Sequence, residues 1–406
     1  MPPLLVRLHE GIAFTVDATG GLRAWTTKGL RQKLASTNLG TDETALPTSL
    51  AVDAQEQCSE NPRVAVGFED GRFAIYELRK EPREFVRLYS HAASSNGTLS
   101  AVAYASPYFL TMTASQLLSL YKFPVEPENK RSDDILDPPR LLHSLKSHTA
   151  WPPLSLSIRP SPEGVVASIA YAIATYLSGW SVGIQELRLT SAGELVESRL
   201  ATSAYGAFRS LTSASSLRQL DALSPLGNHS PYLESDPVYS KPTSLSYTHP
   251  YLLVSHPDNT LTLYLVTSTS STLSISPGSR LWGHTSSVSG AHVGGRGKAV
   301  SVSSRGDELR VWELEGGISS AANKRRLATG DLSVQIRPER KSVEDGTTDI
   351  MSNAVSQRVP ALGLSTEHKP DDVSVSRGWV GFDDEKVIVL REGTHGSQAL
   401  VVYDFS

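Results

Sequence analysis

The 406-residue chain has little cysteine, little net charge and little helical periodicity. Its single cysteine, Cys58, excludes an internal disulfide, a Cys-x-x-Cys redox pair and a cysteine-based metal site. A chain without disulfides suits a reducing compartment, so the cytoplasm or nucleus is expected. Lys and Arg number 38 and Asp and Glu 42, a net charge of −4, without the basic excess that general nucleic-acid binding needs. The N-terminal Met1-Pro2-Pro3-Leu4-Leu5-Val6-Arg7 has too short an apolar run before its first charge to read as a signal peptide.

One long uncharged stretch calls for a membrane test. Gly164 to Gln185 spans 22 residues, enough to cross a bilayer as a helix. Ser, Thr, Gly and Tyr are spread through it, and Tyr176-Leu177-Ser178-Gly179-Trp180 has the character of a hairpin turn. Two buried strands are therefore expected in preference to a membrane helix.

What the sequence has instead is a succession of short β-rich runs separated by Gly, Pro, Asp, Asn and Ser. Turns followed by alternating strands recur, each with an aromatic near its end: Trp25, Tyr76, Tyr121, Tyr264, Trp312 and Tyr403. These are 51, 45, 143, 48 and 91 residues apart, so the two long gaps must hold an extra unit or an insertion. The 143-residue gap holds a further unit without the aromatic, in LSLSIRP, VVASIAYAIA, VGIQELRL and LVESRLA. The total is seven units. A repeat of about 40–45 residues carrying four strands is the signature of a propeller blade, so an all-β, seven-bladed propeller occupying 1–406 is expected. Three stretches read as loops: 126–139, 211–242 and 316–372. The last is expected to be mostly disordered, with one strand of the sixth blade near Leu332–Ile336. It also carries Asn323-Lys324-Arg325-Arg326 and a second basic cluster from Arg337 to Lys341, which read as solvated loop charge with nuclear import as the alternative.

Catalytic patterns are missing. Gly294-Gly295-Arg296-Gly297-Lys298-Ala299 lacks the first Gly and the Ser or Thr of a phosphate loop, and its place between two strands predicts a hairpin turn. There is no Gly-x-Ser-x-Gly and no His-Glu-x-x-His. His249 and His256 have no neighbour at metal-ligand spacing, and the paired carboxylates at 133–134, 371–372 and 383–384 read as solvated turns. No cofactor and no metal are expected, and the chain is expected not to be an enzyme.

Leu281-Trp282-Gly283-His284-Thr285-Ser286-Ser287-Val288, followed by Leu309-Arg310-Val311-Trp312-Glu313, resembles a WD40 repeat, with the Gly-His pair and the Trp-acidic pair at the family's spacing. The other units are degenerate: Tyr replaces Trp at 76, 121, 264 and 403, and Trp25 alone joins Trp312. The resemblance implies a His–Ser–Asp–Trp hydrogen-bond network with a turn Asp six residues before the aromatic. Asp70 and Asp258 stand at that offset. In the sixth unit the offset falls on Gly306, with Asp307 one place late, and in the first on Thr19. The network is therefore expected to be incomplete in every blade.

The degenerate repeats with one good Gly-His/Trp-Glu unit are also similar to fungal F-box/WD proteins, the substrate receptors of ubiquitin ligases. That resemblance implies protein partners: a phosphorylated substrate held by arginines, and a Skp-type adaptor reached through an F-box absent from this sequence. Arg310 in Leu-Arg-Val-Trp and Arg23 in Leu-Arg-Ala-Trp match one arginine position of such receptors, and Arg72 is a third candidate; a second family position is Ser289 here. Guanidinium pairs with phosphate through two charge-assisted hydrogen bonds, hence the residue type. The alternative is that each is a strand residue with a carboxylate neighbour. A scaffold in trafficking or chromatin assembly is a second functional reading, and a propeller enzyme a disfavoured third. Finally, the last unit is short of a fourth strand. Closure is expected through a three-stranded blade or a strand from an upstream segment, with Leu4–Leu8 fitting either there or at the start of the first blade.

Overall fold

The computed structural model describes residues 4–27, 32–39, 45–54, 61–124, 135–148, 150–161, 164–175, 179–203, 240–304, 308–315, 325–326, 333–336, 359–360, 373–374, 379–382, 386–393 and 398–404. Its strands fall into seven antiparallel sheets, taken in chain order. Blade one is β1 (Leu5–His9), β2 (Ile12–Asp17), β3 (Gly21–Thr26) and β4 (Lys33–Thr37). Blade two is β5 (Pro47–Val52), β6 (Arg63–Phe68), β7 (Phe73–Arg79) and β8 (Glu84–His91). Blade three is β9 (Leu99–Ala105), β10 (Tyr108–Thr113), β11 (Leu117–Lys122) and β12 (Arg140–Lys146). Blade four is β13 (Trp151–Ser161), β14 (Gly164–Thr175), β15 (Gly179–Thr190) and β16 (Leu195–Thr202). Blade five is β17 (Ser244–Thr248), β18 (Tyr251–Ser255) and β19 (Leu261–Ser268), with an outer strand split into β20 (Leu273–Ile275) and β21 (Ser279–Leu281). Blade six is β22 (Val288–Val293), β23 (Lys298–Ser303), β24 (Leu309–Glu313) and β25 (Ser333–Ile336). Blade seven gathers β26 (Val359–Pro360), β27 (Val373–Ser374), β28 (Val380–Phe382), β29 (Lys386–Gly393) and β30 (Gln398–Asp404).

All six marked aromatics lie on third strands, and the unit without one is blade four. The uncharged stretch is the β14–β15 hairpin, paired from Gly164↔Thr190 to Thr175↔Gly179. No helix among the described residues is long and apolar enough to cross a membrane. The Gly-rich run after β22 is a hairpin turn, closed by Gly294 N–H donating to the Lys298 carbonyl at 2.9 Å, with Gly297 at φ 68°. Only an unbranched backbone takes that angle without strain.

The first strand of each sheet lies against the first strand of the next, through β1, β5, β9, β13, β17, β22 and β28 and back to β1. Seven strands thus encircle one axis. The apolar core is divided to match. Each sheet alternates its side chains to two faces, and each face packs on a neighbouring blade. Phe14 and Leu22 of blade one meet Val64 and Tyr76 of blade two; Leu110 and Leu120 of blade three meet Ile169 and Leu187 of blade four. The ring closes the same way, with Val6 and Ala13 of blade one against Ile388 and Val402 of blade seven.

Closure differs from both sequence expectations. β1 pairs with β2 and belongs to blade one. The outer strand of blade seven is β26, whose Val359 and Pro360 pair with Leu400 and Ala399 of β30. It comes from inside the 316–372 stretch, which also supplies β25 to blade six, paired Leu309↔Ile336 to Trp312↔Ser333. Apart from 325–326, the remainder of that stretch lies outside the described residues, as do most of 126–139 and 211–242.

Candidate functional site: the ring of first strands

Blade six holds a polar network around a buried tryptophan. Trp312 is fully buried, and its Nε1–H donates to Ser301 Oγ at 2.8 Å. His284 Nε2 lies 2.6 Å from the same hydroxyl. The Ser301 hydroxyl therefore bridges the two rings, accepting from Trp312 and sharing a hydrogen bond with His284. The acid of the network is Glu308. Its Oε2 accepts Thr285 N–H at 2.8 Å and Thr285 Oγ1 at 2.9 Å, with His284 Nδ1 3.6 Å away; its Oε1 accepts Arg310 Nε at 2.8 Å. The His–acid link, at 3.6 Å, is longer than a hydrogen bond, so the network is not closed at that point. The acid stands two residues past Gly306, and the extra methylene of Glu restores the reach. Burial pushes the Glu308 carboxyl upward, but hydrogen bonds from Thr285 and Arg310 and the nearby His284 outweigh it and hold the group below the usual range.

The other turn acids serve arginines. Asp258 pairs with Arg280, whose guanidinium also lies 5.1 Å from the centre of the exposed Trp282 ring. Asp70 lies 3.5 Å from Arg72, which stacks 4.6 Å from the centre of the Phe68 ring. In blade one, Trp25 Nε1–H donates to Thr15 Oγ1 at 3.0 Å, the counterpart of Trp312 on Ser301, and Asp17 pairs with Arg23. The three candidate arginines therefore sit on blades one, two and six, each beside a carboxylate of its own blade: Arg23 with Asp17, Arg72 with Asp70 and Arg310 with Glu308. Arg310 also donates to Ser333 Oγ at 2.8 Å and packs against Gly283, where a Cβ would come within 2.9 Å of the guanidinium. No described contact joins one of the three to another.

The first strands turn an open edge toward the axis, and backbone groups on an open edge need partners. Short hydroxyl side chains of the neighbouring blade supply many of them. Ser246 Oγ accepts Val293 N–H at 3.1 Å and Ser244 Oγ accepts Ala291 N–H at 3.2 Å. Ser155 Oγ accepts Tyr247 N–H at 3.1 Å, and Thr48 Oγ1 donates to the Leu99 carbonyl at 2.6 Å. These bonds tie blade two to three, four to five and five to six.

Strand register places matching residues at one level of the channel. Following each third-strand aromatic across two pairings leads to Leu8, Val52, Tyr104, Tyr247, Val293 and Phe382. The residue before each is Arg7, Ala51, Ala103, Ser246, His292 and Gly381. Four of the six are small. The exceptions, Arg7 and His292, belong to blades one and six, which flank blade seven and its Gly381. Arg7 is exposed, and desolvation by the protein around it lowers its pKa. His292 touches both neighbouring blades: Nδ1 lies 3.4 Å from Ser246 Oγ, and its ring centre 5.6 Å from that of Phe382. Burial, reinforced by the charge of Arg7, brings its pKa down to about 4. Sequence reasoning passed over both. The available signal was a charge inside the apolar alternation Leu5-Val6-Arg7-Leu8.

A radial set of seven sheets with one WD40-type network is the setting for the comparison with known proteins. Residues 1–406 match the family model described as the F-box protein pof12 beta-propeller. The chain belongs to that family. No curated protein sequence matches it. Among solved structures it is similar to Sqt1 of Chaetomium thermophilum, at 13% identity over 98% of this chain and 80% of that one, with a TM-score of 0.48. Sqt1 of Saccharomyces cerevisiae matches at 10% identity over 97% and 81%, with a TM-score of 0.44. A putative 6-phosphogluconolactonase of Bacteroides fragilis matches at 9% identity over 97% and 94%, with a TM-score of 0.45. Among the described residues of this F-box protein propeller, no group of His, Cys, Asp and Glu could hold a metal ion.

Proposed function

We propose that this propeller is the substrate-recognition module of a Skp–cullin–F-box ubiquitin ligase working in the cytoplasm or nucleus. The observation that carries the reading is the family match over the whole chain to the propeller of an F-box protein. The architecture supports the coarser part, a non-enzymatic interaction module. Seven blades packed face to face around an axis, with hydroxyl-to-backbone bonds at three of the boundaries, form a stiff disc, and rigid scaffolds with exposed loops are suited to present a binding surface. In this reading the Skp-type adaptor is engaged by an F-box outside the present sequence, and a phosphorylated substrate meets the propeller. Arg23, Arg72 and Arg310 are then its phosphate contacts, each exchanging its carboxylate partner for phosphate. Such an exchange keeps the guanidinium paired throughout, which limits the cost of leaving a buried charge uncompensated.

Affinity purification of the tagged protein from its own cells, followed by mass spectrometry, tests the proposal. Recovery of a Skp-type adaptor and a cullin is expected. Recovery of vesicle-coat or chromatin subunits without them refutes the ligase reading.

A further inference from the structure

We propose that β16, the outer strand of blade four, is a self-recognition edge. Two copies of the chain pair antiparallel along it, with Ser198 at the two-fold axis and Glu197 of each copy opposite Arg199 of the other. This goes beyond the ligase reading and does not depend on it.

The first observation is an open edge that is both long and apolar. One side of β16 pairs with β15, and among the described residues no strand pairs with the other. A register shift at Val196 leaves six residues in unbroken pairing, from Glu197↔Arg188 to Thr202↔Gly183. The other described outer strands keep at most four. β16 also carries three exposed large apolar side chains, Leu195, Val196 and Leu200, the last two 60% and 58% exposed; among the described residues no other strand carries more than one. An edge of this kind is a template for a further strand.

Alternation decides which groups meet the second copy. Ser203 N–H donates to the Val182 carbonyl at 3.0 Å. Counting back by twos, Ala201, Arg199 and Glu197 bond inward to β15, while Ser198 and Leu200 turn their N–H and C=O to the open edge. Side chains alternate as well. Ala201 and Arg199 are buried toward blade five, where Arg199 Nη1 donates to the Thr269 carbonyl at 2.9 Å. Ser198 and Leu200 lie on the opposite face, with Ser198 Oγ accepting Gln185 Nε2 at 3.1 Å.

The second observation is that the strand is its own complement. Reversing Val196-Glu197-Ser198-Arg199-Leu200 about Ser198 sets Val196 opposite Leu200, Glu197 opposite Arg199 and Ser198 opposite itself. A charge on an edge ordinarily deters pairing. Sliding one copy by two residues either way sets Glu197 against Glu197 or Arg199 against Arg199, whereas the Ser198-centred register pairs opposite charges twice. Arg199 has room for the second carboxylate. Its side chain is 8% exposed and Nη2 donates to Glu186 at 3.1 Å, but its buried Nε–H has no acceptor at hydrogen-bond distance, with Glu197 of its own chain 3.6 Å away. A buried donor left unsatisfied is costly. Residues flanking a hydrogen-bonded pair face each other at a Cα separation of about 4.5 Å, within reach of a Glu side chain.

One pair of strands buries little area, so association belongs to the micromolar range of small interfaces. Sedimentation velocity of the full chain from about 1 to about 100 μM tests it, and a rise from the monomer mass to twice that mass is expected. Ser198→Pro removes an outward N–H and leaves the ladder to β15 intact, which is where an edge strand tolerates proline; it should abolish the rise. Leu200→Thr keeps a strand-forming residue at an exposed position and should weaken association severalfold, so the test does not hang on one variant. Circular dichroism of both should match wild type. Oxidative cross-linking reads the register, in a chain carrying Cys58→Ser. Ser198→Cys should form a disulfide-linked dimer, since a hydrogen-bonded pair sets its Cα atoms about 5.5 Å apart. Leu200→Cys, displaced along the strand from its counterpart, should not. A monomer mass up to about 100 μM, a dimer that folded Ser198→Pro forms as well as wild type, or linking through Leu200→Cys in place of Ser198→Cys overturns the proposal.

Discussion

Replacing Glu308 with Gln tests the blade-six network at the group the motif did not forecast. The side chain is 3% exposed and its partner Arg310 12%. Both oxygens are in use: Oε2 takes two bonds from Thr285 and Oε1 takes one from Arg310. An amide cannot reproduce this. With its NH2 toward Thr285, it sets donors against donors; turned over, it faces the guanidinium with N–H. Either orientation loses a charge-assisted bond, worth about 1.5–3 kcal/mol, and leaves a buried group badly matched. The expected loss is about 2–4 kcal/mol, a large share of a typical stability of about 5–15 kcal/mol. Urea unfolding followed by tryptophan fluorescence at pH 7 measures it. Acid provides an internal control. The folded-state pKa of Glu308 is depressed, so its stabilisation is complete above the unfolded-chain value of about 4.3 and is lost as pH falls through the lower folded value. The gap between wild type and Glu308→Gln should therefore narrow below about pH 4. A gap under about 0.5 kcal/mol at pH 7, or one that widens in acid, refutes the assignment.

Two further outcomes follow from the same contacts. Ser301→Ala removes the acceptor of the buried Trp312 N–H and the partner of His284; it should cost about 2–3 kcal/mol in the same urea assay, whereas Ser289→Ala, whose hydroxyl donates to carbonyls at 3.2 and 3.3 Å, should cost less. Lys386→Met removes a buried ammonium that donates to the Thr27 carbonyl at 2.7 Å across the blade-seven/blade-one boundary; amide exchange in β1 and β29 should accelerate while that in β10 and β14 stays unchanged.

Much of the ring was legible because a blade repeats its chemistry. An aromatic near the end of the third strand marks the register in six of the seven blades, and LSLSIRP through LVESRLA could be read as a blade from strand alternation alone. Glu308 was not legible, because a fixed offset tests position and ignores reach: a longer side chain placed two residues on delivers its carboxylate to the same Thr285 N–H. β26 was hidden for another reason. A strand of two paired residues has no periodicity to detect, and what marks Val359 and Pro360 as strand is the free edge of β30. Arg7 has the plainest cause. Along the sequence it is one charge in an apolar alternation, and its level on the ring emerges only once β1, β2 and β3 are paired.

The closing of the ring draws these points together. The first and last blades are separate sheets, and among the described residues no ladder of backbone hydrogen bonds crosses their boundary. What crosses it is a core of Leu4, Val6 and Ala13 packed on Ile388, Leu390, Leu400 and Val402, together with the Lys386 bond to Thr27. The boundary between blades six and seven has a core of the same kind, with Val300, Val302 and Leu309 on Val380, Val387 and Val389. Each fully buried side chain of this size contributes about 1.5–3 kcal/mol, so several of them outweigh a single polar bond. The closing boundary is therefore held chiefly by the same apolar packing as its neighbours, with Lys386 a local addition. For that reason Lys386→Met should loosen exchange near blade one without opening the disc, and a global loss of structure in that variant would mean that the ammonium, and not the packing, holds the ring shut.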